Sequence, residues 1–264
     1  AEMGGRRAHG AMLSCRVAGF VEMADIAEPR VVVDRLNHFF KITADVVARN
    51  KGALGHFGPE LVTASWNTLI NDSDPNLHAI ATGLQMQVAS WHFGLNLSAE
   101  NLPGPSLSVG LHAGDVTGGN IGGGERFEYM VLGSNVDVTR TIRKHAGEAQ
   151  VVASAALYDS VKDLCIAQPL PIDDDCQAAP LYSIYGVQAS PMQMVLNIPV
   201  RIFDDEGSIL GEGLITGAKE KDEAMSIFVA SMPVIAPGKA ITLFFVLPGG
   251  EQDLQLTGTV QDET

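Results

Sequence analysis

The stretch from Leu107 to Ala146 constrains the fold of this 264-residue chain more than any other. An apolar run, Leu107–Ala113, leads into a glycine-dense segment over residues 118–124, and a second apolar run, Phe127–Leu132, follows at once. Glycine tolerates the backbone angles of tight turns, so the pattern predicts an antiparallel hairpin with its turn in 118–124. A helix is expected next over roughly Asn135–Ala146. It is followed by a strand at Val151–Ala153, a short helix near Ala155–Val161, and strands ending in Pro180–Val187.

Upstream, residues 11–18 read as a short buried strand, and Gly19-Phe20 opens a loop. Pro29 suits the first turn of a helix, where its missing N–H costs nothing. Val32, Leu36, Phe39, Phe40, Ile42, Val46 and Val47 recur at helical spacing, with Gly52 as the stop. A hairpin follows from Leu54–Phe57 and Leu61–Trp66 around Gly58-Pro59. A second helix, started by the cluster Ser73-Asp74-Pro75, carries Leu77, Ile80, Leu84 and Val88 on one face. Helices dispersed among hairpins predict an α+β domain with helices against a mostly antiparallel sheet.

From Gln188 the helical period disappears. Strand-like runs at Val195–Phe203, Ile209–Thr216, Met225–Val229, Ala240–Leu247 and Leu254–Val260 alternate with Gly- and Pro-bearing turns, including Pro248-Gly249-Gly250. Short strands at this spacing predict a small all-β barrel or sandwich. The expected division is 9–190 for the first domain and 191–264 for the second. No repeat or low-complexity tract interrupts either.

The formal net charge is −14, which repels phosphate backbones and anionic lipid. Nucleic acid and membrane-surface partners are therefore not expected. Neither is membrane insertion, since no apolar stretch reaches the ~18 residues a span needs. The opening segment has two arginines but no apolar run for a secretory signal. Its abrupt start just before a strand is what a piece of a longer protein would show. Cys15, Cys165 and Cys176 are odd in number and without C-x-x-C spacing, which fits free thiols in a reducing, cytoplasmic compartment.

Three segments together resemble the class III adenylate and guanylate cyclases, whose fold is ferredoxin-like. The first is Arg16-Val17-Ala18-Gly19-Phe20, with Pro29 and Leu36-Asn37-His38-Phe39-Phe40 downstream. The second is the hairpin Lys51–Trp66. The third runs Val109-Gly110-Leu111-His112-Ala113-Gly114-Asp115-Val116, then Gly119-Asn120-Ile121-Gly122, Arg126, Tyr129, Leu132-Gly133 and Val136-Asp137-Val138. The resemblance implies a dimer, and a reaction in which the ribose 3′-hydroxyl attacks the α-phosphate with two divalent ions, Mg or Mn, held by two aspartates.

This sequence departs from the family pattern at each of those positions. Arg16 and Glu60 stand where the metal aspartates belong. A guanidinium cannot ligate a cation, and Glu60 is left as either a lone weak ligand or a polar strand-edge residue. Arg16 itself either binds an anion in a metal's place or pairs with Glu60. His56 and Met130 occupy the purine-reading positions, Asp137 the ribose position and Thr141 the phosphate-stabilising position. Met130 offers no useful hydrogen bond, and Thr141 lacks the fork suited to phosphate. Arg140 and Arg143 read as solvated charges.

The resemblance thus implies a cyclase frame with no intact catalytic, purine or metal set and no expected cofactor. The function expected is a regulatory or scaffold module acting through homodimerisation and contacts with other signalling proteins. The alternatives are a divergent cyclase using Mg or Mn, or a receptor for nucleotide or cyclic di-GMP without turnover. Val200-Arg201-Ile202, Gly211–Thr216 and Ile235-Ala236-Pro237-Gly238-Lys239 resemble the rhythm of PilZ domains. The arginine pair and D-x-S-x-x-G loop of that family are missing, so residues 191–264 are either a non-binding PilZ-like unit or an unrelated small β domain.

Overall fold

A computed structural model describes residues 5–123, 126–171, 180–190, 193–221, 224–232, 235–246 and 253–261. Cys176 and the turn Pro248-Gly249-Gly250 lie outside the described residues. The elements run β1 (Arg6–Ala18), α1 (Phe20–Ile26), α2 (Pro29–Arg49), β2 (Ala53–Phe57), β3 (Leu61–Trp66), α3 (Pro75–Ala99), β4 (Ser106–Gly123), β5 (Arg126–Leu132), α4 (Ser134–His145), β6 (Gln150–Ser154), α5 (Ala155–Tyr158), β7 (Cys165–Leu170) and β8 (Leu181–Ser190). Five further strands follow: β9 (Gln193–Phe203), β10 (Ile209–Lys221), β11 (Ala224–Met232), β12 (Ala240–Val246) and β13 (Asp253–Thr259).

The sheet is mixed, ordered β11-β10-β9-β8-β6-β4-β1-β3-β2, and its one parallel pair is β4 with β6 among the described residues. Alternate residues of β1 sort onto opposite faces, as the pleat dictates. Ala11, Leu13, Cys15 and Val17 enter the main core beneath α2 and α3 with Phe39, Val46, Ile80, Leu84 and Phe93. The opposite face carries α4, whose Ile142 packs on Val152 and Leu181. Burial on α3 is not limited to one face: Ala79–Leu84, Met86, Gln87, Ser90, Phe93 and Leu97 are all buried. The helix packs against α2 and against β1, β3, β4, β6 and β8, so little of its girth meets water. Asp74 takes its N-cap position without a side-chain cap. Asp72 works there instead, accepting from the Asp74 N–H at 3.2 Å and meeting His78 Nδ1 at 2.7 Å.

Two local expectations change. Gly19-Phe20 does not open a loop but the short helix α1: Gly19 adopts φ 106° and its N–H donates to Glu22 Oε2 at 3.0 Å. A Cβ at Gly19 would also lie 2.6 Å from the Gly104 carbonyl oxygen. The glycine-dense segment is not mainly turn but strand. Gly118–Gly123 pair with Val131–Arg126, extending β4 as a two-stranded arm. Cross-strand hydrogen bonding overrides the weak strand preference of glycine when a partner strand is supplied.

The C-terminal strands do not form a closed barrel. β9 pairs along one edge with β10. Its other edge takes β8 at Gln193–Leu196 and then β12 at Arg201–Phe203. No described pairing joins β11 to β13, so the sheet stays open. The physical cause is the splice of β9 onto β8, which makes the C-terminal strands a continuation of the first sheet. They keep their own apolar cluster, Leu196, Ile198, Val200, Ile202, Ile215 and Leu243, on one face of β9.

Candidate functional site

Arg16 and Glu60 are held beside one another by the β1–β3 ladder, in which Arg16 is in register with Leu61 and the Val17 N–H donates to the Glu60 carbonyl at 3.0 Å. Both side chains line a cleft of about 410 Å³ whose remaining wall comes from Val17–Gly19, Val21, Glu22, Leu61 and Arg143. Arg16 and Glu60 are exposed, and no ion pair joins them. The structural pairing that the sequence allowed is therefore not made.

Arg143 is the residue that sequence reasoning placed wrongly. It is half-buried and brings a second guanidinium into the cleft with Arg16. The cause is a close approach of α4 to the sheet: a Cβ at Gly110 would sit 2.4 Å from the Arg143 backbone nitrogen. Gly110 on β4 is in register with Ser14, two residues from Arg16 on the same face of β1. One signal was available: the buried pair Thr139 and Ile142 at i, i+3 puts Arg143 at the margin of the inward stripe.

The residues of the cleft do not fit a divalent metal. Two guanidiniums line it against two carboxylates, Glu60 and Glu22, and one oxygen of Glu22 already accepts from the Gly19 N–H. Hard cations need several anionic oxygens. Among the described residues no group of three His, Cys, Asp or Glu side chains is placed to hold a metal ion.

The remaining candidate positions lie apart from the cleft. Asp137 and Thr141 are exposed on α4. Arg140 Nη1 donates to Asp137 Oδ1 at 2.9 Å, and the Thr141 hydroxyl is turned back onto the Asp137 carbonyl at 3.1 Å. His56 on β2 and Met130 on β5 are both exposed, and these two strands approach one another. Direct cross-strand partners share a face, so the register Gly119↔Met130 and Thr117↔Leu132 puts Ile121, Met130 and Leu132 on one side of the arm. Each is at least 41% exposed, and Val138 on α4 is 40% exposed.

The position of α4 is pinned by a buried polar chain. His112 contacts Ser154 Oγ through Nδ1 at 2.8 Å and Asn135 Oδ1 through Nε2 at 3.1 Å. Asn135 Nδ2 in turn donates to the Asp115 carbonyl at 2.9 Å. Burial lowers the His112 pKa below its usual 6.5, opposed by the Asn135 hydrogen bond and assisted by His9. The folded state therefore prefers neutral imidazole, while the unfolded chain takes up the proton more readily. The stabilisation is fully present above pH 6.5 and is lost as pH falls through the lowered folded value. Urea unfolding between pH 8 and pH 5 should show a midpoint that drops with acid, and His112→Gln should reduce that slope. An unchanged slope in the variant would remove His112 from the account.

No protein-family model matches the chain. It is 28% identical over 174 residues, 64% of its length, to Adenylate cyclase 1 of Rhizobium meliloti strain 1021, of which it spans 26%. Among solved structures, the guanylyl cyclase Cya2 superposes with a TM-score of 0.64 at 24% identity, covering 72% of this chain and 98% of that one. The fold is that of a class III nucleotidyl cyclase domain. The dimeric guanylyl cyclase domain of the RhoGC fusion protein from the aquatic fungus Blastocladiella emersonii also matches, with a TM-score of 0.62 at 12% identity over 69% of this chain and 99% of that one. No described helix is long and apolar enough to cross a membrane.

Proposed function

We propose that this chain is a cyclase-like regulatory module that does not perform conventional cyclase chemistry and works by pairing with a second copy or with other signalling proteins in the cytoplasm. The observation that carries this reading is the cleft itself. Arg16 and Arg143 bring positive charge to the cleft, where the resemblance to the cyclases would put metal-binding carboxylates. His56, Met130, Asp137 and Thr141 supply neither purine recognition nor transition-state charge stabilisation, and loss of one such stabiliser costs about 10²–10³ in rate. The exposed apolar side of the arm supports pairing. Residues 191–264 are read as a second unit for protein contacts, PilZ-like in rhythm, because they hold an apolar cluster of their own.

The test is cyclic nucleotide formation from ATP and from GTP, with magnesium and with manganese. The expected result is no turnover above the uncatalysed background. Measurable turnover that Glu60→Ala abolishes would replace this reading with that of a divergent cyclase.

The two guanidiniums also favour a second reading, a metal-independent nucleotide receptor. Arginine forks suit phosphate oxygens, and this pair has no carboxylate bound to it. Isothermal titration of ATP or GTP without metal should then give heat that Arg143→Gln removes. Absence of heat for both nucleotides ends the receptor reading.

A further inference from the structure

We propose that the cavity between α3 and the outer face of β9, β10 and β12 is a binding site for a small molecule with a flat, largely apolar body and a single acidic group. The cavity measures about 690 Å³, within the ~300–1,000 Å³ typical of small-molecule sites. It stands apart from the Arg16 cleft and shares only the fold with the proposed function.

Its floor follows from strand register. Glu212, Arg201 and Phe244 are direct neighbours across β10, β9 and β12, and Pro199 faces Leu214 in the row behind them. Most of the apolar cluster, including Leu196, Ile198 and Ile202, occupies the other face of β9, while Pro199 and Arg201 on this face line the cavity together with the edge residue Val200. Trp91 on α3 forms the opposing wall, and Phe245 also reaches the cavity. An aromatic side chain on each side favours a planar guest, whose faces replace contacts that water cannot supply.

Two polar groups select what the guest carries. Arg201 lines the cavity and makes no ion pair among the described residues, although Glu212 lies directly across the ladder. An unpaired guanidinium beside an aromatic ring suits a carboxylate or sulfonate on a ring system. The Trp91 indole N–H is buried without a hydrogen-bond acceptor, an unmet donor that needs an explanation in a packed wall. An acceptor atom on a bound ring would meet it. Glu148 and Glu212 line the same space, so a di- or triphosphate would meet two carboxylates for one guanidinium. The single guanidinium can meet one acidic group, so the guest carries no more than one.

The probe is 8-anilinonaphthalene-1-sulfonate, a planar aromatic monoanion, titrated into the full chain and followed by calorimetry and fluorescence. Saturable binding of one molecule per chain is expected. Leu214→Trp, which fills the floor, should weaken binding at least about tenfold, close to 1.4 kcal/mol. Arg201→Gln, at an exposed position that should not disturb folding, should weaken it severalfold. The uncharged analogue N-phenyl-1-naphthylamine should bind both forms equally, and excess ATP should not displace the probe. Binding unchanged by both substitutions, or displaced by ATP, would overturn the proposal. Loss of nucleotide heat in the titrations above leaves this result untouched, so the two failures are distinguishable.

Discussion

Gly110→Val should lower the unfolding free energy by about 3 kcal/mol, at the upper end of what overpacking costs. At Gly110 the backbone of α4 lies against β4, and even a single carbon there would reach 2.4 Å from the Arg143 nitrogen and 2.7 Å from its Cα. Backbone cannot rotate away as a side-chain tip can, so the helix must lift. Lifting it would separate Ile142 from Val152 and Leu181 and strain the Asn135–His112 contact. The cleft should open as Arg143 moves outward with the helix. Urea unfolding checks the magnitude, and a loss below about 0.5 kcal/mol, the range of ordinary surface changes, would show that α4 is not seated as described.

The paired replacement Met130→Asp with Leu132→Asp should weaken self-association by two orders of magnitude or more. Both side chains share one exposed side of the arm with Ile121, and Val138 adds to the exposed apolar surface on α4. Placing two carboxylates within a paired apolar surface costs roughly 3 kcal/mol or more through desolvation and mutual repulsion. Because both positions are solvent-exposed in the single chain, folding should be nearly unaffected. Sedimentation velocity across micromolar concentrations would show the change. A chain that is monomeric before substitution, or equally dimeric after it, would remove the arm from the pairing surface.

Much of the frame was legible because it rests on local rules. Pro29 marks the first turn of α2, the apolar spacing of Val46 and Val47 identifies its inward side, and the runs at 195–203 and 240–247 match β9 and β12 closely. What escaped depends on distant parts of the chain. Glycines 118–123 look like turn until β5 provides a ladder for them. The C-terminal strands have the rhythm of a separate barrel, because nothing in the run from Gln193 announces that its first residues pair with β8. Within the site, the sequence leaves Arg16 either to bind an anion or to pair with Glu60, and strand register aligns their backbones without an ion pair between the side chains. The spacing of Thr139 and Ile142 puts Arg143 at the margin of the inward stripe of α4, but only the seating of that helix on Gly110 brings it to the cleft.

The splice of β9 onto β8 also bears on whether the chain before residue 190 can live without the strands after it. Cutting the chain after about residue 190 would strip the hydrogen-bond partners from Gly186, Val187, Gln188 and Ser190, which now face Leu196, Val195, Met194 and Gln193. The last residues of β8, beyond the stretch held by β6, would become a bare rim of unpaired N–H and C=O groups, a template on which another molecule's strand can add. Val195, which fills part of the first core, would go with the cut. The shortened chain would then tend to aggregate, so the strands after residue 190 serve as a permanent guard of that edge.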